Sequence, residues 1–450
     1  MLKCNSRLLL IGATCLVPHA LNAMPGALPA GTSLISKGGY SATFSPSPAT
    51  NPAVLPIALG ARNFIVGGLA LPAAIAFEIG QVDNLTDRLD GLEEAVDNAE
   101  SAQSDGGEDV TQAEADAIKA EFDSFVAQLG DDAYVNLQAN LNLPVLPVMF
   151  KAFGGVVAVT LEGSADVKLT GYGNELTYDG AAQELNFDAA VYVESGVFTQ
   201  LGVAYGYEFG KVQFANQDFD LNLGGRLKIT QGSLSQQLIV LDDDDDDDDD
   251  DDSASDRAED NYDLNKKNTL AIGLDVGAVV SNSEMHLGVV LRNLIPEKFD
   301  FTELGMNCAS KPTPTEQADC NSAAKYAGKI GYSSSYKLDP QLMLDGSYMI
   351  PGSGFRAFGS VETNSVETVT GSEYQWLVAG VGYSGAWWLP SIHVAYNKNL
   401  AGEKIDMISL GADLFRVLNL QVSVSPDKAK VDGDSIYRAA AVSIGLFTSF

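Results

Sequence analysis

From about residue 154 to its end, the sequence repeats one theme: eight to eleven residues of alternating apolar and polar side chains, then a turn-rich gap. A chain of period two sends successive side chains to opposite sides, so each run reads as a strand with two unlike faces. Leu270, Ile272, Leu274, Val276, Ala278 and Val280 share one face, against Thr269, Ala271, Gly273, Asp275 and Gly277. Leu221, Leu223, Leu227 and Ile229 oppose Asn222, Arg226 and Lys228, and Leu201, Val203, Tyr205, Tyr207 and Phe209 oppose Gln200, Gly202, Gly206 and Glu208. The pattern returns with Met285 to Leu291, Leu342 to Ile350, Ile392 to Tyr396, Ile408 to Leu414 and Leu418 to Val424. Each run has about the ~10 residues with which a tilted strand crosses a bilayer. The polar faces are small and mixed, which suits a lumen better than the Lys/Glu-rich face of a water-covered sheet. Tyr374, Trp376, Trp387, Trp388, Tyr396 and Tyr437 lie near strand ends, where a membrane barrel places its aromatic girdles. The expected fold is therefore all-β, a transmembrane antiparallel barrel.

The two ends agree. Lys3 and Arg7, the apolar run Leu8–Val17 and the small-residue site Leu21-Asn22-Ala23 predict a secretory signal peptide over 1–23. No later segment has the ~20 unbroken apolar residues of a membrane helix; the nearest, 64–77, is interrupted by Gly67, Gly68 and Pro72. The last nine residues alternate again, with Val442, Ile444, Leu446, Thr448 and Phe450 on one side. A strand that stops on a terminal phenylalanine is expected to pair with the first strand and close the wall.

The formal net charge of −33 is concentrated. Residues 83–132 carry sixteen acids against two bases, and 242–260 fourteen against one. Acidity thus belongs to two insertions, and a basic surface for nucleic acid is excluded. In 83–132, Leu85, Leu89, Leu92 and Val96 form one helical stripe. Thr111 and Glu114 then make a capping box ahead of a second stripe of Ile118, Phe122, Val126 and Leu129. This predicts an inserted helical hairpin, whose stripes bury against each other or the barrel rim, or else dock a partner. Asp242–Asp252 is an unbroken aspartate run that repels itself and predicts a solvated loop. Asp242, Asp243, Asp244 and Asp245 are the residues at which such a loop offers weak divalent-cation binding. Cys308 and Cys320, the pair left after the leader, predict a disulfide closing a Pro-, Thr-, Lys- and Asp-rich loop in an oxidising compartment.

Catalytic chemistry is not evident. His286 and His393 sit on polar faces of candidate strands, outside any hydrolase, metalloprotease or phosphate-loop motif. The reading is of a protein without catalytic, cofactor or metal residues.

The stretch Tyr40-Ser41-Ala42-Thr43-Phe44, followed by Thr50-Asn51-Pro52-Ala53-Val54-Leu55, resembles the Asn-Pro-Ala element near the mature start of the FadL-like outer-membrane superfamily. With the acidic helical insertion, the segment Leu287-Gly288-Val289-Val290-Leu291-Arg292-Asn293-Leu294-Ile295-Pro296 and terminal Phe450, the chain is more closely similar to the plasmid conjugal-transfer TraF-type family within it. The resemblance implies a barrel of about 14 strands in the outer membrane of a Gram-negative bacterium. Residues 24–82 would supply a plug-like luminal segment containing Asn51, Pro52 and Ala53 together with the first strand region, and 133–450 the barrel itself. The implied partners are outer-membrane lipid, the barrel-assembly machinery and conjugation envelope proteins. The alternative is a transporter that admits a hydrophobic small molecule, such as a long-chain fatty acid, past the plug. An anchor or coat role without transport is a third reading.

Overall fold

The computed structural model describes residues 50–446 except 67–69, 143–147, 174–176, 180–183, 187–188, 215, 242–261, 263, 385–389, 415–417, 432–433 and most of 81–132. Within that last stretch, Ala113, Asp116, Ala117, Lys119 and Ala120 are described, and all are helical. The leader, the remainder of the acidic hairpin, the aspartate run, Trp387, Trp388 and Phe450 lie outside the described residues.

Fourteen antiparallel strands form the wall: β1 Ala70–Ile79, β2 Tyr134–Asn142, β3 Gly155–Gly173, β4 Ala189–Phe214, β5 Gln217–Leu241, β6 Lys267–Ser281, β7 Met285–Ile295, β8 Gln341–Met349, β9 Phe355–Glu362, β10 Trp376–Tyr383, β11 Ser391–Asn399, β12 Asp406–Leu414, β13 Leu418–Val424 and β14 Ala439–Leu446. Each pairs with its chain neighbours, and β14 pairs with β1, for example Val442 with Ile75. The sheet therefore closes on itself and leaves no edge along the barrel proper. Two short strands, Phe64–Val66 and Val148–Ala152, extend the wall beside the start of β3. The apolar run too short for a membrane helix is thus the first wall strand and its extension.

Period two sorts the faces as the sequence predicts. Ile75, Leu201, Val203, Leu227, Leu270, Leu287, Leu344, Val381, Val394, Leu410, Val422 and Ile444 are exposed on the outside, forming a continuous apolar surface suited to lipid. Asn136, Glu162, Arg226, Asp275, His286, Asp345, His393, Ser409 and Gln421 alternate with them and are buried inside.

One expectation about aromatics is overturned. Tyr374 and Trp376 are each 1% exposed, stack at 5.9 Å and pack with Ile405, Met407 and inward alanines of β1 and β14. They fill lumen because Trp376 has the parity opposite to Leu377 and Val381 of the same strand, which face out. Aromatics exposed near the short-turn end are instead Phe153, Tyr207, Phe209, Tyr348, Phe355 and Tyr383. Tyr396 and Tyr437 remain exposed toward the other end.

The longest connections, 80–133, 174–188, 242–266, 296–340, 363–375 and 425–438, leave one end of the wall, and the twelve-residue connection 143–154 lies at the other. β4 and β5, at 26 and 25 residues, rise well past the seven- to nine-residue strands β8–β14. On β5 the outward residues change from Leu223, Leu227 and Ile229 to Gln231 and Ser233, and above them Ser235 and Gln237 are buried. The excursion 296–340 folds back inside this tall side. It contains the paired strands Glu297–Asp300 and Ser335–Leu338, and the helix Pro314–Tyr326 where the sequence reads as a loop.

Candidate functional site: the filled lumen

The inward face of β5 records what occupies the barrel, from the short-turn end upward. Gly224 comes first. Its neighbours in register are Gly206 on β4 and Gly277 on β6, which leaves a flat cross-strand patch without side chains. On it lies the N-terminal segment, a 3₁₀ turn Pro52–Val54 running into the short helix α1 Leu55–Leu59. A Cβ at Gly224 would strike the Pro52–Ala53 backbone; one at Gly206 would meet Leu55 and Pro56; one at Gly277 would enter the Asn51 carboxamide.

Asn51 caps the turn by accepting from the Ala53 amide at 3.0 Å and donates from Nδ2 to the Val289 carbonyl at 3.3 Å. Pro52 suits the first helical position, where no amide hydrogen is needed. Arg292 donates to the Thr50 carbonyl at 3.3 Å. Ala53 and Val54 pack on Val279, while Leu55 and Leu59 join Ile65, Met149, Val156, Ala158 and Ala204. The Asn-Pro-Ala element thus rests on the wall at this glycine row.

Above it, Arg226 pairs with Glu162 and donates to Thr160 Oγ1 at 3.0 Å. Lys228 lies 2.9 Å from Asp275, 3.1 Å from Glu297 and 2.5 Å from Asn293 Oδ1. Asp275 also accepts from the Asn293 amide at 2.9 Å, with Asn293 in a left-handed turn at φ 51°. Two cations therefore share three carboxylates, all out of contact with water, an arrangement that tolerates no missing partner. Glu297 belongs to the excursion, so this network ties the excursion to the wall.

Higher still, Phe299 lies over Gly232 and packs with Phe198, Leu234, Tyr336, Leu338 and Val369. Gln236 donates to the Thr302 and Ser333 carbonyls at 2.7 and 2.9 Å. Leu238, Tyr192 and Ala190 close the column against Ala323, Tyr326 and Ile330. The Cys308–Cys320 disulfide, with Cα atoms 5.3 Å apart, staples the helix Pro314–Tyr326 to the turn before it. A cavity of about 210 Å³ lies beside it, between Leu238, Leu264, Leu304, Pro312 and Cys320.

The hairpin 363–375 reaches the opposite inner wall. Thr370 donates to Asp166 at 3.3 Å, Asn136 to Ser372 at 3.4 Å and Tyr374 to Glu78 at 2.7 Å; Tyr134 holds the other Glu78 oxygen. Burial, and then Glu373 and Asp339 nearby, raise the Glu367 carboxyl above its ordinary pKa. His286 lies 3.4 Å from Asp345, and His393 packs edge-on to Phe358. Among the described residues, no group of three or more His, Cys, Asp or Glu side chains could hold a metal ion. Phe450 and Asp242 to Asp245 fall outside the described residues. Sequence reading placed Arg226, Lys228 and Asp275 on the inner face without pairing them, and it missed Glu297, whose parity with Phe299 was the available signal.

Residues 48–361 match the family described as the F plasmid transfer operon protein TraF. A search of curated proteins returns no match. Among solved structures, the toluene transporter TodX of Pseudomonas putida overlays with a TM-score of 0.39 at 10% identity, over 95% of this chain and 99% of that one. A deletion mutant of TodX, described as a monoaromatic hydrocarbon channel, gives 0.39 and 10% over 94% and 97%.

Proposed function

Because the chain belongs to the TraF protein family of the F plasmid transfer operon, we propose that it is an outer-membrane barrel serving plasmid transfer as an envelope component or assembly partner. The observation that carries this reading is the state of the lumen. Its wall is polar and charged, and its larger apolar patches are covered by Leu55, Leu59, Phe299, Tyr326, Tyr374 and Trp376 of the chain itself. A hydrophobic solute crossing such a lumen would have to displace these segments of the chain and pass the buried ion pairs of Arg226, Lys228, Asp275 and Glu162. A filled barrel is better suited to hold a position in the membrane and present its ends to other envelope proteins. The acidic insertion 83–132, whose sequence predicts a helical hairpin, is the proposed partner contact, and the barrel-assembly machinery the route of insertion. No catalytic role is proposed.

A second reading, a transporter of hydrophobic small molecules, is favoured by one feature: the cavity of about 210 Å³ beside Cys320, where Leu238, Leu264, Leu304 and Pro312 line one part and Gln237, Asn265, Glu303 and Lys311 the other. A deletion strain scored for mating frequency and for uptake of labelled fatty acid separates the two. Reduced mating with normal uptake is expected; normal mating with lost uptake would overturn the proposal.

A further inference from the structure

We infer that the acidic insertion 83–132 seats its apolar stripes on the outer face of β2–β5, far from the short-turn end, and turns its other side to solvent. On β4 the outward residues Val203 and Leu201 are 46% and 41% exposed, but farther up the strand Ser195 and Val193 fall to 5% and 2%. Leu169 of β3 and Ser235 and Gln237 of β5, outward by the same parity, are buried too. Register sets them side by side. Leu169 lies opposite Val193 and Val193 opposite Gln237, with Leu137 opposite Val167 and Val191 opposite Ile239 in the rows beside them. Leu137, Val167, Val191 and Ile239 pack around Leu169 and Val193, so the patch is apolar and belongs to the wall itself.

The burial is that of a single chain, so the cover is the chain's own. Among the described residues, the helix Pro314–Tyr326, the paired strands of 296–340 and the 363–375 hairpin all pack on the inner side of the wall. Leu264 and Asn265 share a cavity with Gln237 at the β5 edge, two strands away from Leu169. Ser235 Oγ and Gln237 Oε1 are buried without a hydrogen-bond partner. Buried polar atoms ordinarily find a partner or a water; an apolar cover excludes the water and supplies no partner.

The insertion leaves and rejoins the wall beside this patch. Ile79 pairs with Val135, Val135 with Leu169, and the Gly80 amide donates to the Tyr134 carbonyl at 2.9 Å. Its stripes, which include Leu89, Leu92, Ile118 and Phe122, are the apolar surface within reach. Residues 242–261 also leave nearby, but their aspartates stay hydrated and would offer the Ser235 hydroxyl an acceptor. The segment before Thr50 starts from the lumen toward the short-turn end, where Arg292 holds the Thr50 carbonyl. Ala113, Asp116, Ala117 and Ala120 are helical and exposed. At about 3.6 residues per turn they share the side of the predicted helix opposite Ile118 and Phe122. The side turned to water is thus the one without the stripe. On the reading proposed above, a partner meets this exposed side and not the apolar stripes.

The test is thiol accessibility at Val193→Cys in folded, full-length protein, measured as the rate of labelling by a charged maleimide at that peptide. Lys337→Cys, at a site whose side chain is 55% exposed, is the accessible reference. In the full-length chain Val193→Cys should react at least tenfold more slowly than the reference. Replacing 83–132 with a short Gly/Ser linker should bring the two rates within about threefold, with wall closure scored by heat-modifiable migration. Ile118→Asp with Phe122→Asp, at full length, should expose the thiol in the same way and serves if the shortened chain does not insert. Rapid labelling of Val193→Cys in the full-length chain would overturn the inference. So would protection that persists in the variants, which would give the face to the 177–186 hairpin or to a second copy of the chain. No mating enters the measurement, so its failure and that of the plasmid-transfer reading are separate.

Discussion

Replacing Gly224 with alanine should loosen the N-terminal plug without harming the barrel. The added methyl would fall on the backbone of Pro52 and Ala53, where no flexible side chain can swing aside. Overpacking of this kind costs about 1–3 kcal/mol. Burial of Val54, Leu55 and Leu59 favours the seated segment by about 5–9 kcal/mol at ~1.5–3 kcal/mol each. The methyl therefore weakens the seat without abolishing it, and transient release should increase roughly 5- to 150-fold. Hydrogen exchange at the amides of residues 53–59 reads this directly, in folded protein whose heat-modifiability is unchanged. Gly225→Ala is the matched control. It faces outward, and the nearest atom to its new methyl is a carbonyl oxygen at 3.8 Å, an ordinary contact. Its exchange should equal that of the wild type. If Gly224→Ala exchanges no faster than Gly225→Ala, the glycine row is not the seat, and the luminal placement of Asn51-Pro52-Ala53 loses its physical basis.

Three further outcomes follow from the lumen. Lys228→Met leaves Glu297 buried without its cation and Asp275 with Arg226 alone, at 4.0 Å, a loss of about 3–5 kcal/mol; limited proteolysis should then cut within 297–340 while β1–β14 stay protected, and an unchanged digest would refute the tie. Cys308→Ser removes a staple whose loop-closure value is about 3 kcal/mol; hydrogen exchange should quicken in the helix Pro314–Tyr326 and not in the wall. The raised carboxyl of Glu367 binds its proton more tightly in the folded protein, so stability it contributes at low pH is lost as pH rises through the folded pKa; Glu367→Gln should protect the 363–375 hairpin from protease at neutral pH relative to wild type, with the difference vanishing in acid.

The wall was legible in the sequence and its contents were not. Alternation is a local property, so Leu270 and Ile272 against Asp275, or Ile392 and Val394 against His393, declare their faces within a few residues. At Tyr374 and Trp376 the aromatic identity suggested a membrane girdle where parity places the rings inside. The plug and its seat depend on contacts such as Asn51 with Val289, 238 residues apart, and Tyr374 with Glu78, 296 apart. No periodicity records a pairing at that distance. Gly206, Gly224 and Gly277 read as unremarkable members of polar faces until register sets them side by side. The inward fold of 296–340 was hidden for a related reason. Its strands are only four residues long, too short to show a period, and their apolar face is Phe299, Tyr336 and Leu338 alone.

A closed fourteen-strand wall encloses a lumen filled by its own chain at both ends. Single-channel recording of the full-length protein in planar bilayers tests this most directly. Inserted, heat-modifiable protein should give no steady open-pore conductance, because the 50–59 segment and the 296–340 and 363–375 excursions obstruct the passage. A stable conductance of the size expected for an empty barrel of fourteen strands would contradict it.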